Sequence, residues 1–320
     1  MNITFGSRRY RYAARVSIFL TMAAIIAGLV GCTLPPVQIH DWYDLNDIRD
    51  NPGGRYRLMN DLDSASAGYW SLESNIANHR KGSQPIGTPN SPFTGSLDGQ
   101  GYEIRGLYID RCDENQVGLF GLVDEAGIIK DVGVVSATVT GKQYVGGLVG
   151  NNSGTLSNSY FSGGVTGDQY LGGLVGGNGG TVSNSYYNYD EVLINGENII
   201  TIGALCAEDF QLWLANDKFL DVNQRLSQEN GCYLVNNISD FKEVLTFGQN
   251  SSLRFKLTND LDLGSEINFY VPYLAGEFDG NGHKILNLTF NSDFASRVGL
   301  FGYLASNGKV TQLGAEKVNV

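Results

Sequence analysis

The chain has 320 residues, of which 42 are glycine and only 7 are proline, so glycine stands at about twice its usual share. No Gly-X-Y period runs through the glycines, which excludes a collagen-like chain, and a hydrophobic fraction of 42% with 17% charged residues excludes general disorder. The net charge of −11, with the basic cluster confined to the N-terminus, excludes a nucleic-acid binder.

The N-terminal segment, residues 1–31, has the pattern of an export signal. A basic segment is followed by an uncharged apolar run, Val16 to Val30, which is shorter than the roughly 20 residues that a membrane-spanning helix needs. The sequence Leu29-Val30-Gly31-Cys32 resembles the lipobox of bacterial lipoproteins, and this resemblance implies cleavage before Cys32 and its lipidation. An ordinary signal peptide, or an N-terminal anchor that happens to contain a cysteine, is the alternative.

We therefore expect an exported protein, anchored to the membrane at the cell surface through the lipid on Cys32, with residues 32–38 as a tether. Three further cysteines remain, Cys112, Cys206 and Cys232. An odd number cannot be fully paired within one chain, so a disulfide framework is not expected. A bridge between Cys206 and Cys232 and free buried cysteines both remain open.

A long duplication spans most of the remaining chain. The segment Arg55–Asp63 recurs as Arg254–Asp262, and later Val117–Gly121 recurs as Val298–Gly302. Between these matches the offset falls from 199 to 181, so the first copy carries 18 extra residues. We expect residues 64–93, which include Trp70, to form an inserted loop that projects from the first copy.

Three stretches have helix-like spacing of apolar residues. Each copy begins with one, at Ile39 to Ile48 and at Ile238 to Leu245, and a third runs from Ala207 to about Phe219. We expect these to be short helices that cap the strands, because the end of a stacked β structure otherwise exposes apolar side chains and unpaired strand edges.

A shorter repeat lies inside the first copy. The segment Val145–Phe161 returns as Leu171–Tyr187, with most of the aligned positions identical. Short β runs separated by Gly and Asn, at a fixed period in the mid-twenties, predict an all-β fold of the right-handed parallel β-helix (β-solenoid) type with short capping helices. A glycine-rich linker is the alternative, but it would not carry phased leucines and tyrosines.

This fold predicts which residues of successive repeats lie over one another. Apolar columns are expected at Leu148/Leu174, Leu156/Val182 and Tyr160/Tyr186, and amide ladders are expected at Asn152/Asn178 and Asn158/Asn184.

The Gly-Leu-Val-Gly cores at Gly147–Gly150 and Gly173–Gly176, each followed by Asn-Ser-Tyr, resemble the GLUG motif. The resemblance implies an extracellular repeat module of adhesin-like surface proteins, and the family has no established catalytic residues to carry over. The His-Glu-x-x-His zinc motif of its peptidase members is absent from this sequence.

The domain organisation follows from these repeats. We expect a first β-solenoid domain at residues 39–200, a helical linker at 201–232 and a second β-solenoid domain at 233–320. Val320 aligns with Val139, just before the GLUG repeats of the first copy, so the second domain is expected to be truncated and the chain to be a fragment of a longer array. Pairing of this last edge with another chain is the alternative.

Acidic residues are the candidates for chemistry. Asp98 and Asp279 lie in Asp-Gly-x-Gly turns, and Asp61/Asp63 are duplicated as Asp260/Asp262. A carbohydrate-active β-helix enzyme, either a polysaccharide lyase or a hydrolase, would use such carboxylates. Their repetition at equivalent places favours a structural role in turns instead. We expect no catalytic residue, no cofactor and no metal site; calcium on Asp260, Asp262 and Glu266 is the weaker alternative.

These observations predict binding or adhesion at the cell surface, without catalysis, to an extracellular glycan or protein ligand. The candidate contact residues are the tyrosines expected to be exposed and the tryptophan of the insertion: Tyr144, Tyr170, Tyr187, Tyr189 and Trp70. The alternatives are the β-helix enzyme and a passive structural spacer.

Overall fold

Short β-strands account for most of the regular structure in residues 35–290 and 299–319, the part of the chain that this computed structural model describes. The described residues from Gln38 onward belong to one compact unit. The strands up to the end of the GLUG repeats and the following segment are β1 (Val37–Ile39), β2 (Arg55–Leu58), β3 (Ser96–Asp98), β4 (Glu103–Arg105), β5 (Tyr108–Asp110), β6 (Phe120–Val123), β7 (Ile128–Lys130), β8 (Gly133–Thr140), β9 (Gln143–Gly146), β10 (Val149–Asn152), β11 (Thr155–Ser157), β12 (Tyr160–Thr166), β13 (Gln169–Gly172), β14 (Val175–Asn178), β15 (Thr181–Ser183), β16 (Tyr186–Asn188), β17 (Leu193–Ile194) and β18 (Ala204–Leu205). The second copy contributes β19 (Gln228–Glu229), β20 (Cys232–Val235), β21 (Arg254–Leu257), β22 (Leu261–Asp262), β23 (Glu277–Asp279), β24 (Lys284–Leu286), β25 (Lys309–Thr311) and β26 (Gly314–Glu316).

These strands form predominantly parallel sheets. The two largest have the orders β1-β2-β3-β7-β11-β15 and β18-β16-β12-β8-β4, and the GLUG repeats add the sheets β14-β10-β6 and β13-β9. The second copy forms β19-β20-β21-β23-β25 and β22-β24-β26. Among the described strands from β2 onward, β19 and β20 are the one antiparallel pair. Within residues 145–187, each strand pairs with the equivalent strand of the next repeat, and not with the strand that precedes or follows it in the sequence.

The register within the GLUG repeats agrees with the sequence period. Leu156 lies opposite Val182 and Tyr160 opposite Tyr186, so each residue pairs with its equivalent one period later. The predicted amide ladders are confirmed: Asn152 Nδ2 donates to Asn178 Oδ1 at 2.8 Å, and Asn184 Nδ2 donates to Asn158 Oδ1 at 2.8 Å. Asn152 and Asn178 are buried, so this bond satisfies the Asn152 amide donor and the Asn178 acceptor inside the core.

In the part of the chain that the structure describes, three α-helices accompany the strands: α1 (Trp42–Asp47), α2 (Ala207–Ala215) and α3 (Ile238–Phe247). The two helices that open the copies begin with the same capping geometry. Asp41 accepts a hydrogen bond from the backbone N–H of Asp44 at 3.0 Å, and Asn237 accepts one from that of Asp240 at 2.9 Å. Buried apolar residues then face the core from both helices, Trp42 and Leu45 from α1 and Phe241 and Val244 from α3.

Helix α2 ends earlier than predicted. It stops at Ala215 because Asp217 and Lys218 take left-handed backbone angles, with φ of 48° and 60°. Its Phe210 and Trp213 pack with Tyr160, Tyr186 and Leu205 in an aromatic cluster separate from the main core. Helix α2 therefore covers the outside of the sheet that contains β12 and β16.

The extra length of the first copy is visible in the register of its strands. In the paired strands β2 and β3, Tyr56 lies opposite Leu97, whereas in the second copy Phe255 lies opposite Phe278. The interval from Tyr56 to Leu97 is 18 residues longer than the interval from Phe255 to Phe278, which equals the change in offset between the copies. Isolated bridges place Ile86 and Phe93 opposite β6, and in the second copy Val271 and Leu274 occupy the same place.

These bridges divide the extra residues into two insertions. In the first copy, Ile86 follows Leu62 by 24 positions, whereas in the second copy Val271 follows the equivalent Leu261 by 10 positions. Most of the extra length therefore lies between Leu62 and Ile86. Phe93 follows Ile86 by 7 positions, against 3 from Val271 to Leu274, which assigns the remainder. The expected projecting loop over residues 64–93 is therefore wrong in its second half, because Ile86 and Phe93 are fully buried in the core.

Within the described residues, the structure leaves Cys112, Cys206 and Cys232 as free thiols. A bridge between Cys206 and Cys232 is thus not formed. The signal peptide and Cys32 lie outside the described residues.

Candidate functional site

Two of the predicted contact residues lie side by side. Tyr144 and Tyr170 occupy equivalent places in the paired strands β9 and β13, and their rings stack with centroids 4.5 Å apart and an interplanar angle of 7°. Both have a φ of 56°, in the left-handed region that non-glycine residues rarely adopt. Next to them, Gln143 and Gln169 repeat the ladder on the surface with an amide contact of 3.2 Å. The face therefore presents a regular row of aromatic and amide groups.

Tyr187 does not join this face, and its expected exposure is wrong. Its side chain is fully buried, its hydroxyl donates to the Ile199 carbonyl at 2.6 Å, and the Thr201 N–H donates to it at 2.7 Å. Burial raises the pKa of this hydroxyl far above its usual value. The sequence contained the signal: Tyr187 repeats the position of Phe161, and the glycines opposite them, Gly173 and Gly147, leave room for a ring to pack inward.

Tyr189 is half-buried and packs against the main core. Burial, with a contribution from the nearby Asp190 carboxylate, raises the pKa of Tyr189 to about 12. The four candidate tyrosines thus occupy different environments, and the structure brings Tyr144 and Tyr170 together.

Trp70 lies on the surface of the insertion, in the π-helical turn Tyr69–Glu73, and its side chain is 62% exposed. The ring edge of its neighbour Tyr69 contacts it with centroids 5.2 Å apart. Tyr43 of α1 reaches the same turn, because its hydroxyl lies 3.3 Å from Ser71 Oγ. We refer to Tyr43, Trp70 and Ile76, which are 50%, 62% and 64% exposed, as the insertion surface.

Buried charges hold the insertion in place. The Glu73 side chain is almost completely buried, and burial raises its pKa although the Arg49 guanidinium opposes the change. Arg49 donates to Ser83 Oγ at 3.3 Å, and Arg111 Nε donates to the Ser83 carbonyl at 2.8 Å. These bonds tie the insertion to the end of α1 and to the following repeat, so the aromatic groups stand on a fixed base.

The backbone near this surface is strained. Asn78, His79 and Arg80 are three successive non-glycine residues with positive φ, at 49°, 61° and 70°. Such a run costs free energy, since non-glycine residues visit this region singly. The Asn78 amide offsets part of that cost by donating to the carbonyls of Leu72 at 2.9 Å and Gly82 at 2.7 Å.

The duplicated carboxylates serve the backbone. Asp98 and Asp279 accept hydrogen bonds from the N–H groups two residues ahead, at 3.1 Å and 2.9 Å. Asp61 and Asp260 accept from the N–H groups of Glu103 and Lys284, each at 2.9 Å. This agrees with the turn role expected from their repetition. Burial works against ionisation of Asp98, but its bonds with Gln100 and Lys130 dominate and lower its pKa.

In residues 35–290 and 299–319, no group of three or more His, Cys, Asp or Glu side chains is placed to hold a metal ion. The residues considered for calcium have other partners: Asp262 accepts from the Gly264 N–H at 2.9 Å, and Glu266 pairs with Lys242 at 2.8 Å. Within the same described ranges, no helix has the length and apolar character needed to cross a membrane.

Comparison with known proteins agrees with the repeat pattern. Residues 141–166, which contain β9 to β12, match the GLUG motif. The match confirms the resemblance of this repeated segment to the GLUG motif.

Two curated relatives share longer segments. The chain is 37% identical over 143 residues to halomucin of Haloquadratum walsbyi, and this segment covers 42% of the chain but 2% of halomucin. It is 32% identical over 152 residues to a protein named as a putative Gly-rich membrane protein of Evansella cellulosilytica, covering 46% of the chain and 17% of that relative. The chain thus spans a small fraction of either relative. No solved structure matches it.

Proposed function

We propose that this protein is a cell-surface lipoprotein whose GLUG repeats form a right-handed parallel β-helix and which acts by binding or adhesion, without catalysis. A surface location is supported by the relatives, one of which is named as a membrane protein. The β-helix is supported by the parallel pairing of equivalent strands in successive repeats. We infer a right-handed path because connections between parallel strands of one sheet are nearly always right-handed.

The insertion surface is the observation that carries the binding role. Tyr43, Trp70 and Ile76 are at least half exposed, whereas large apolar residues on a rigid base are normally buried. The buried Glu73 and Arg111 fix the base, so binding a ligand does not require ordering of the segment. Aromatic side chains with these properties suit the faces of sugar rings or the apolar centre of a protein interface.

Binding is tested with the purified full chain on arrays that carry glycans and extracellular proteins. We expect retention of at least one class, and we expect Trp70→Ala to weaken binding at least about 10-fold, as for a central aromatic contact. Leu212→Ala, which removes an exposed apolar side chain from α2, is the matched control and should bind as wild type does.

Retention that Trp70→Ala leaves unchanged would contradict a role for the insertion surface, and no retention at all would favour the passive spacer. Turnover of a polysaccharide that disappears in Asp98→Ala or Asp279→Ala, with the fold intact, would favour the enzyme.

Lipid anchoring through Cys32 is tested separately, by labelling the chain with a radioactive fatty acid during expression in a bacterium. We expect label in the wild type and in Cys112→Ser, which replaces an exposed thiol, and none in Cys32→Ser. Label that persists in Cys32→Ser would refute this anchor, whereas an unprocessed N-terminal anchor would leave all three unlabelled.

A further inference from the structure

A groove runs between the two copies of the duplication. Two cavities of about 300 Å³ and 380 Å³ both contain Ser183, Gln249 and Ser251 in their walls, so they adjoin each other. One wall follows the edge strand β15, and the other belongs to the second copy. Phe219, which is 58% exposed, lies at one end, and Asn307 lies at the other. We call this the inter-copy groove.

The walls carry unused hydrogen-bonding groups. The side-chain hydroxyls of Ser153, Thr181, Ser183 and Ser251 make no hydrogen bond with any described residue. A hydroxyl donates one hydrogen bond and accepts up to two, which is also the capacity of each hydroxyl of a sugar. A row of such groups in a concave site is suited to a ligand that is itself rich in hydroxyls.

An extended peptide is a poorer match, although β15 is an edge strand. Strand addition needs free backbone groups on that edge. The Ser185 N–H already donates to Gln249 Oε1 at 3.0 Å, and Gln249 Nε2 donates to the Ser185 carbonyl at 2.8 Å. Gln249 thus occupies the backbone groups just beyond the end of β15. A peptide strand added to β15 could not continue past Ser183, whereas the side-chain hydroxyls of the groove remain available.

The charge of the groove disfavours an acidic ligand. Among the described residues that line the two cavities, Glu125 is the one charged side chain. No cation is present among these lining residues to pair with a uronate or sulfate group, and the whole chain has a net charge of −11.

We infer that the inter-copy groove binds a neutral oligosaccharide. One sugar ring packs on the exposed face of Phe219, and the following rings lie along β15 with their hydroxyls bonded to those of Ser183, Ser251 and Thr181. Cavities of about 300 Å³ and 380 Å³ are each within the range of small-ligand sites. This site is separate from the insertion surface and does not depend on the function proposed there.

The test applies the full chain to an array of neutral and acidic glycans, followed by calorimetric titration of a neutral glycan that is retained. Ser251→Trp places a large ring where the two cavities meet, and we expect at least about 10-fold weaker binding. Phe219→Ala should weaken binding about 3- to 10-fold through loss of one stacking contact. The matched control is Ser265→Trp, at an exposed serine of the second copy outside the groove, which should bind as wild type does.

Circular dichroism and thermal melting establish that each variant is folded. If Ser251→Trp does not fold, Asn307→Trp blocks the far end of the groove instead. Retention of acidic glycans alone, no retention of any neutral glycan, or equal affinities of the blocking variants and Ser265→Trp would overturn the inference. Trp70→Ala distinguishes the two sites, because it should leave binding in the groove unchanged.

Discussion

Glu243 shows how the environment of a single residue can control stability. Its carboxylate lies on α3 and is 16% exposed, with Oε1 3.5 Å from Arg225 Nη1. Arg225 also pairs with Asp209, so one cation is shared between two carboxylates. Burial raises the pKa of Glu243 to about 7; Arg225 opposes this change and Asp209 adds to it. Above that pH the folded chain therefore carries an incompletely compensated buried charge.

The sign of the resulting pH dependence follows from proton binding. Between the usual pKa of 4.5 and about 7, the folded chain holds the Glu243 proton and the unfolded chain does not. The free energy of unfolding must then fall as pH rises through this window and be unaffected by Glu243 below it. We predict that Glu243→Gln is more stable than wild type at pH 8, by up to about 3 kcal/mol, and that the difference vanishes near pH 4.

Urea denaturation of both proteins at several pH values between 4 and 8 measures this difference. Glu191→Gln removes the same charge from an exposed position and shows the effect of net charge alone. A constant difference between Glu243→Gln and wild type across the range would show that the burial of this carboxylate does not govern stability.

At the scale of elements, the sequence predicted those features that repeat. The equal spacing of Leu156/Val182 and of the Asn ladders required the observed register, because identical segments can stack only in phase. The helix-like spacing of apolar residues likewise located α1 and α3, and the structure shows that Asp41 and Asn237 cap their starts. The inward position of Ile86 and Phe93 was missed because the whole segment 64–93 was assigned to one insertion, although Phe93 aligns with Leu274 at the offset of 181.

The candidate sites were less accessible to sequence reasoning. Trp70 could be named because it lies in a segment that the second copy lacks. The inter-copy groove could not, because Ser183 and Ser251 are far apart in the sequence and no repeat relates them. Its walls depend on how α3 and the residues after it pack against β15 and β16.

Gln249 is the central contact of that packing. Its buried side-chain amide forms two hydrogen bonds with the backbone of Ser185, as a neighbouring strand would. Gln249→Leu keeps much of the volume but leaves the Ser185 N–H and C=O without these partners. We predict a loss of about 2–6 kcal/mol in the free energy of unfolding, since two buried groups each cost about 1–3 kcal/mol.

Chemical denaturation measures the loss, and amide hydrogen exchange locates it. Exchange at Ser185 should accelerate in Gln249→Leu, while exchange at Leu156, inside the sheet, should follow the global stability. Uniform acceleration at both amides would contradict a local role for the Gln249 amide.

At the scale of the whole molecule, each GLUG repeat contributes one strand to each of several sheets. Residues 145–170 supply β10, β11 and β12, and the next repeat supplies β14, β15 and β16 in the same order. In a β-helix, such a unit contacts its neighbours alone, and stability is close to a sum over units and interfaces. A closed sandwich or barrel has no place for an additional unit.

Duplication of residues 145–170 therefore distinguishes these architectures. We predict that a chain with a second copy of this segment, which is one full sequence period, folds cooperatively and is at least as stable as wild type. Its maximum dimension in small-angle X-ray scattering should grow by about 4.8 Å, the spacing of neighbouring strands. Duplication of residues 146–165, which is shorter than one period and breaks the phase, is the control and should destabilise the fold. An extended chain that unfolds or aggregates like this control would refute the β-helix, because the inserted repeat would then have found no matching register.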